Sequence, residues 1–417
     1  MRKLIPRSTY ARNVLTLMTG TGLAQAIPIA ISPILTRMYS PGEFGLFAFY
    51  MAVVSIAVVL VTGRYEQAIL LPRRDRDALH ITMLVLLLSS VISATLALLI
   101  ALFNQHIAIF LGNPDLAPWL YWVPLSTWLM GMYQGLNYWS NRKAQYKRLA
   151  ISRTVQSGSG ALAQLAYARF GASGLVMGQV TGQVLATSIL ARMIWREDQA
   201  VIRSLNIRRV VVLAGKYINF PKYLVVAHGF NTASGQMPVL LLSTLFGTAT
   251  AGLFTLTQRV LGAPMSLIAS ALGDVFRQEA SKAYIHQGNC ENIYKKTLKR
   301  LVFISLLPFC IFFFIAPGFF AWVFGEQWRI AGEYAQILTP KFLFDFFAGP
   351  LSAMFMIAEK QRLDLVWQIS LISIAVISIV LGYIMSDVKI SLIFYSIGHC
   401  FMQSINLWMS YGFSKNK

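Results

Sequence analysis

The most regular feature of this sequence is the alternation of long apolar stretches with short polar segments. The hydrocarbon core of a bilayer, about 30 Å thick, is crossed by roughly 20 apolar residues in helical conformation. Twelve stretches reach this length, and each predicts a transmembrane helix. The predicted spans are 13–36, 43–63, 79–103, 116–138, 150–168, 171–194, 222–243, 249–272, 301–323, 334–357, 364–386 and 389–412.

The positive charges follow the same alternation. Of the 36 Lys and Arg residues, only Arg37, Arg169, Arg329 and Lys389 fall in the segments assigned to one side of the membrane, and Arg259 and Lys341 fall inside spans. All the others lie in the segments of the opposite side or in the ends of the spans next to those segments. Because Lys and Arg are retained on the cytoplasmic side of an inner membrane, this bias predicts that both termini lie in the cytoplasm.

A basic segment in the middle of the chain separates the spans into two sets of six. We expect an N-terminal six-helix bundle over 1–200, a cytoplasmic linker over 201–221 and a C-terminal six-helix bundle over 222–417. A weak repeat supports this division, since Gly-Leu-Phe opens the second span at Gly45 and the eighth span at Gly252. Two parallel repeats are typical of transporters. The predicted fold is an all-α integral membrane protein with two bundles around a central cavity.

Composition agrees with a membrane protein and narrows its partners. Hydrophobic residues make up 56% of the chain and charged residues 12%, about half the charged share of soluble proteins. The net charge of +20 resides mainly in short loops beside apolar spans, where basic residues attract anionic lipid headgroups. We therefore expect anionic membrane lipids as partners and no nucleic acid.

Motifs of enzymatic chemistry do not occur in this sequence. It contains no phosphate-binding loop with Gly-Lys-Ser/Thr, no His-Glu-x-x-His metal motif and no nucleophile elbow. Its five His are scattered, and its three Cys are too few for a disulfide framework. We expect a protein that is not an enzyme and that has no catalytic residues, metal or cofactor.

Ionisable residues inside the predicted spans are the first candidates for a functional site, because a charge at bilayer depth is costly unless it meets a partner or water. Arg259 lies in the eighth span, and Lys341 and Asp345 lie in the tenth. Residues four apart share a helix face, so Lys341 and Asp345 are able to neutralise each other. Two interpretations remain open: an internal ion pair that fixes helix packing, or a cationic patch that lines a cavity and attracts a pyrophosphate or an acidic sugar.

Three further candidates lie at the ends of the first two spans. Arg37 closes the first span on the side where cations are rare, and Arg64 and Glu66 lie where the second span reaches the cytoplasm. Arg64 is interpreted either as an anchor of the positive-inside type or as a phosphate contact. Because residues two apart point to opposite sides of a helix, we expect no pairing between Arg64 and Glu66 along one face.

The N-terminal segment of the chain, within residues 22–72, carries a family resemblance. The segments 22–25 (GLAQ), 32–45 (SPILTRMYSPGEFG) and 64–72 (RYEQAILLP) resemble those of bacterial polysaccharide-unit (O-antigen type) flippases. These belong to the polysaccharide transporter family of the multidrug/oligosaccharidyl-lipid/polysaccharide exporter superfamily. Arg37, Arg64 and Glu66 lie at positions of the resembling motifs. Arg259, Lys341 and Asp345 are candidates only because of their predicted depth in the membrane.

The resemblance implies an activity in polysaccharide and lipopolysaccharide biosynthesis. Such flippases move undecaprenyl-pyrophosphate-linked oligosaccharide from the cytoplasmic to the periplasmic leaflet by alternating access, in some cases coupled to an ion gradient. Implied partners are the lipid-linked oligosaccharide and, beside it, a polysaccharide polymerase and glycosyltransferases. Two alternatives remain: a sodium- or proton-coupled multidrug exporter of the same superfamily, and a non-transporting scaffold for membrane glycosyltransferases.

Overall fold

The structure is a computed structural model that describes residues 9–199 and 206–415, and all regular secondary structure in these ranges is helical. Twelve of the helices have 20 residues or more, and we number them α1 to α12. They are α1 Thr9–Met38, α2 Pro41–Val61, α3 Asp75–Phe110, α4 Val123–Arg142, α5 Tyr146–Ala166, α6 Ala172–Glu197, α7 Val225–Phe246, α8 Thr248–Gln287, α9 Glu291–Phe324, α10 Arg329–Leu351, α11 Gln361–Ile384 and α12 Val388–Lys415.

The chain is a multi-pass membrane protein. Seven of the described helices are long and apolar enough to cross a membrane on their own, and an eighth span results if Ile207–Lys216 and Phe220–Phe246, bent by 52°, are taken together. The helices α1, α4, α5 and α12 reach the length but are less apolar. In α12 the reason is a row of buried polar side chains, and a helix that packs inside a bundle tolerates such a row because other helices satisfy it.

The predicted spans are confirmed as helices, but two of the helices extend well beyond them. The segment 273–300, predicted as a loop, consists mostly of the end of α8 and the beginning of α9. Phe276, Ala280 and Tyr284 of α8 are buried against Cys290 and Tyr294. These extensions belong to the same apolar cluster as Phe346 and Leu351 of α10, and this packing stabilises them as helices.

The first compact unit comprises the chain up to Tyr39 and Leu46–Ala233. In it, α6 packs against α5 through glycines. An alanine methyl at Gly178 would lie 2.6 Å from the backbone nitrogen of Gln164, and one at Gly182 would lie 2.6 Å from the carbonyl oxygen of Gln156. Only glycine permits this approach of the two helix backbones.

The second compact unit comprises Ser40–Gly45 and Ser234–Lys417. In this unit the two glycines of the predicted repeat meet. An alanine methyl at Gly45 would overlap the carbonyl oxygen of Thr248, and one at Gly252 would overlap that of Pro41. The beginnings of α2 and α8 therefore cross in direct backbone contact. The prediction of an all-α fold with two bundles is confirmed.

The predicted linker is partly structured. Residues 201–205 lie outside the described residues, and Asn206 begins a described segment that contains the helix Ile207–Lys216. Val210 and Leu213 of this helix are buried in the core of the first unit, next to Tyr65 and Leu79. We call Ile207–Lys216 the linker helix.

Candidate functional site

The central pair of the candidate site is Lys341 and Asp345, which lie one turn apart on α10. The Lys341 ammonium nitrogen is 2.9 Å from Oδ2 of Asp345. The pair lies 12 and 16 residues after Arg329, the first residue of α10, or roughly 18 and 24 Å along the helix. Both residues therefore sit at bilayer depth, and the predicted neutralisation of one by the other is confirmed.

Two side chains of α12 complete the arrangement around Asp345. His399 Nε2 donates to Oδ1 of Asp345 at 2.7 Å, and Gln403 Nε2 donates to the same oxygen at 2.7 Å. One carboxylate oxygen thus faces the ammonium group, and the other accepts two hydrogen bonds. A carboxylate with this set of donors is held in one orientation, and its charge is compensated locally.

Sequence reasoning missed His399. The signal that identifies it is the spacing of polar residues along α12: His399, Gln403, Asn406 and Ser410 recur at intervals of four, three and four, and all four are buried. Such spacing places side chains on one face of a helix. An apolar span with a single polar face indicates that this face packs inside the bundle, where His399 meets Asp345.

The surroundings of the cluster are apolar and aromatic. The Lys341 ammonium lies 4.3 Å from the centroid of the Phe342 ring, and Tyr395 packs 5.7 Å from the His399 ring. Lys341 is buried, whereas the Asp345 side chain retains 30% of its exposure. In such surroundings a charge interacts more strongly than in water. A charged ligand that binds to this cluster must therefore displace part of the existing contacts among Lys341, Asp345 and His399.

Arg259 lies on the neighbouring helix α8. The Thr257 hydroxyl donates to the carbonyl oxygen of Ala331 at 2.7 Å, and Gly262 packs against the Phe342 ring. These two contacts place Arg259 on the part of α8 that packs along α10. Arg259 is half-buried, and among the described residues it has no ion pair. It remains a cation at depth with its donors available.

Arg64 and Glu66 form an ion pair, with 3.1 Å between Arg64 Nη1 and Glu66 Oε1, so the expectation that they would not pair was wrong. The helix-face argument fails because α2 ends at Val61 and Arg64 adopts a left-handed backbone conformation with φ of 59°. The turn brings the two side chains to the same side. Glu66 is fully buried, yet its Oε2 and the Nε of Arg64 have no partner among the described residues.

The structure brings the six predicted residues together only in part. Lys341 pairs with Asp345 and Arg64 pairs with Glu66, whereas Arg259 lies along α10 without an ion pair. Arg37 is exposed at the end of α1, and no described acidic residue pairs with it. The substrate-binding role of all six stays a prediction.

A comparison with sequence families gives a match over most of the chain. The profile of the family described as "Polysaccharide biosynthesis protein" matches residues 34–332. No curated protein matches this sequence. The matched range includes α2 to α9, the Arg64–Glu66 pair and Arg259, and it ends at the beginning of α10.

Solved structures with the same fold are membrane transporters. The chain is similar to an inward-facing multidrug resistance transporter of the MATE family and MOP superfamily, with 16% identity, a TM-score of 0.70 and coverage of 94% of this chain and 93% of that one. It is similar to the lipid II flippase MurJ, with 13% identity, a TM-score of 0.72 and coverage of 95% and 87%. A MOP superfamily transporter from Pyrococcus furiosus, reported for the reverse polarity of its binding pocket, has 15% identity, a TM-score of 0.61 and coverage of 95% and 93%.

Proposed function

Because the chain belongs to the polysaccharide biosynthesis protein family, we propose that it is a flippase for undecaprenyl-pyrophosphate-linked oligosaccharide units. It moves these units from the cytoplasmic to the periplasmic leaflet of the bacterial inner membrane, with both of its termini in the cytoplasm. The fold, shared with MATE-type transporters and with the lipid II flippase MurJ, supports transport rather than enzymatic catalysis.

The excess of cations at depth is the observation that carries the proposal. Asp345 compensates Lys341, and Arg259 adds a positive charge without an acidic partner among the described residues. A pyrophosphate carries negative charge and many acceptor oxygens, and Arg and Lys donate to such groups through strong charge-assisted hydrogen bonds. In this proposal Arg259 contacts the pyrophosphate first. Lys341 then turns partly away from Asp345 and donates to the pyrophosphate as well.

The same cluster is suited to couple transport to an ion gradient. Asp345 is held by Lys341, His399 and Gln403. When a pyrophosphate draws Lys341 away, the carboxylate loses its main counter-charge and takes up a proton or a sodium ion more readily. With both ring nitrogens protonated, His399, which is hydrogen-bonded to Oδ1 of Asp345, would deliver that proton and remain as a neutral imidazole. Substrate and ion would then bias the conformational equilibrium in turn.

A drug exporter of the same superfamily is the second candidate, and the shared fold with MATE-type transporters favours it. Exporters of cationic drugs need a carboxylate that is available to the drug. Asp345, the acidic residue of the cluster, already has a lysine and two hydrogen-bond donors. The charge balance therefore favours an anionic substrate.

The test uses a strain without the gene, complemented with the parent protein or with variants. Surface polysaccharide and lipid-linked units that accumulate in the inner leaflet are measured at matched amounts of protein. We expect the strain without the gene to accumulate the units. Arg259→Ala and Lys341→Ala should reduce export about tenfold, the loss that corresponds to one charge-assisted contact of about 1.4 kcal/mol.

Arg73→Ala is the matched control, because Arg73 is exposed and has no ion pair among the described residues. Its export should equal that of the parent. Normal export without accumulation in the strain lacking the gene would reject the flippase function. Equal export by all three variants would leave the flippase function standing and reject a role for Arg259 and Lys341 in substrate binding. If the protein is instead a scaffold for glycosyltransferases, its loss would lower the synthesis of the units and would not cause them to accumulate in the inner leaflet.

A further inference from the structure

The linker helix Ile207–Lys216 has three distinct faces. Val210 and Leu213 are buried, Ile207 and Val211 are 62% and 67% exposed, and Arg208 and Lys216 are exposed beside them. At about 100° per residue, the apolar pair lies roughly a third of a turn from the buried pair, and the cationic pair lies a further third of a turn around the helix. Val212 is exposed on the cationic side.

Several contacts fix which face of this helix remains outside. The Tyr65 hydroxyl donates to the carbonyl oxygen of Ala214 at 2.9 Å, the backbone N–H of Asn206 donates to His80 at 3.0 Å, and Arg209 pairs with Asp77 at 3.0 Å. The Asn206 side chain also accepts from the backbone N–H of Arg208 at 2.9 Å and caps the helix. These contacts hold the linker helix in one orientation, and in that orientation Ile207 and Val211 are exposed.

Its position relative to the spans is also fixed. His80 and Asp77 lie in the first turns of α3, and the linker helix is bent by 52° from the following segment Phe220–Phe246. A short helix at the ends of two spans, turned away from the direction of one of them, lies near the polar boundary of the bilayer. There an apolar face meets acyl chains and a cationic face meets headgroups.

We propose that the linker helix is an interfacial anchor that binds the anionic phospholipid surface at the predicted cytoplasmic side. Ile207 and Val211 enter the boundary of the acyl chains, and Arg208 and Lys216 contact lipid phosphates. An anionic lipid surface complements the charge of this face. Arg208 and Lys216 have no ion pair among the described residues, whereas Arg209 is paired with Asp77. This inference does not depend on the transported substrate.

The first experiment measures the depth of the apolar face in the full-length protein, reconstituted into vesicles of phosphatidylcholine and phosphatidylglycerol. A nitroxide label is attached at Val211→Cys, or at Gln287→Cys as the control. Cys310 and Cys400 are replaced by alanine, and Cys290 is buried and is left in place. Gln287 ends the 40-residue helix α8, which at roughly 60 Å extends far beyond the hydrocarbon core.

The label at position 211 should collide more often with oxygen, which concentrates in the bilayer, than with a water-soluble nickel chelate, and the control should show the opposite order. A label at 211 with the accessibility of the control would overturn the proposal. A label shielded from both reagents and broadened by a second label would mean that another copy of the chain covers this face, which would overturn it as well.

The second experiment tests the cationic face through the melting temperature. Phosphatidylglycerol should raise the melting temperature of the parent above its value in pure phosphatidylcholine vesicles. Arg208→Glu with Lys216→Glu should remove roughly half of this gain or more, since each cation near an anionic surface contributes measurably. Arg277→Glu with Lys282→Glu, an equal change of net charge at exposed positions near the end of α8, should retain it. Equal losses in both variants, or no loss in either, would refute lipid binding by the linker helix.

Discussion

Both compact units have ion pairs at helix ends, but among the described residues only the second unit also has a charged cluster in the middle of its helices. In the first unit the ion pairs lie at helix ends: Arg142 and Lys143 both bind Asp75, and Arg148 binds Glu197 and Asp198. In the second unit Lys341, Asp345 and His399 meet in the middle of α10 and α12. Residues of the same types therefore have different environments.

The difference shows what depth does to a charge. Where water reaches a helix end, as at the partly exposed carboxylates of Asp75 and Glu197, it screens the charges, so an ion pair there adds little and serves to fix the turns. At bilayer depth, the loss of one partner leaves the other charge uncompensated. The pairs of Asp75 and Arg148 are therefore interpreted as scaffold, and the cluster of the second unit as the candidate site, where the loss of one charge leaves another without a partner.

The sharpest test of this comparison is Asp345→Asn. It leaves Lys341 buried without a counter-charge, so we expect the free energy of unfolding to fall by about 3 kcal/mol. Thermal unfolding in detergent and in nanodiscs measures the loss. Lys341→Met together with Asp345→Leu should recover most of it, because the double variant buries no unpaired charge. If Asp345→Asn leaves the stability unchanged, Lys341 is solvated and does not depend on its partner.

Asp198→Asn should have a smaller effect. Arg148 is buried and has two acidic partners, so Glu197 remains after the change, and the Trp139 indole N–H can still donate to the amide oxygen. We expect a loss of about 1 kcal/mol, measured by the same unfolding assay. A loss as large as that of Asp345→Asn would break the distinction between scaffold pairs and the deep cluster.

The contribution of Asp75 to the pH dependence of stability should be smaller still. The hydrogen bond from Lys143, together with that from Arg142, lowers the pKa of Asp75. A carboxylate whose folded pKa is depressed contributes stability above its ordinary pKa of about 4, and this contribution is lost as the pH falls below that value. Melting temperatures between neutral and acidic pH should therefore fall less steeply for Asp75→Asn than for the parent. Identical slopes would show that Asp75 contributes nothing to acid stability.

No measurable change is expected for Glu326→Gln. This residue pairs with Arg329 in an exposed turn before α10, where water screens both charges. The variant serves as the baseline for the other substitutions in the same unfolding assay. A clear destabilisation by Glu326→Gln would mean that ion pairs at helix ends matter more than the comparison assumes.

The sequence by itself determined the membrane class, the twelve long helices and the presence of charged residues at bilayer depth. Hydrocarbon thickness dictates the length of an apolar span, and the helix repeat places residues four apart on one face, so Lys341 and Asp345 were recognisable as a pair. The polar row of α12 also carries enough periodicity to be read as an inward face, although sequence reasoning missed His399.

Only the tertiary structure decided which residues from different elements meet. Periodicity describes one helix at a time, so nothing along the chain pairs His399 of α12 with Asp345 of α10. The same limit applies to Arg64 and Glu66, whose contact depends on a left-handed residue after α2 rather than on a helix face. The linker helix is a third case, because its exposed face is defined by what α3 covers. Local patterns determine elements, whereas contacts between elements depend on packing that no local pattern encodes.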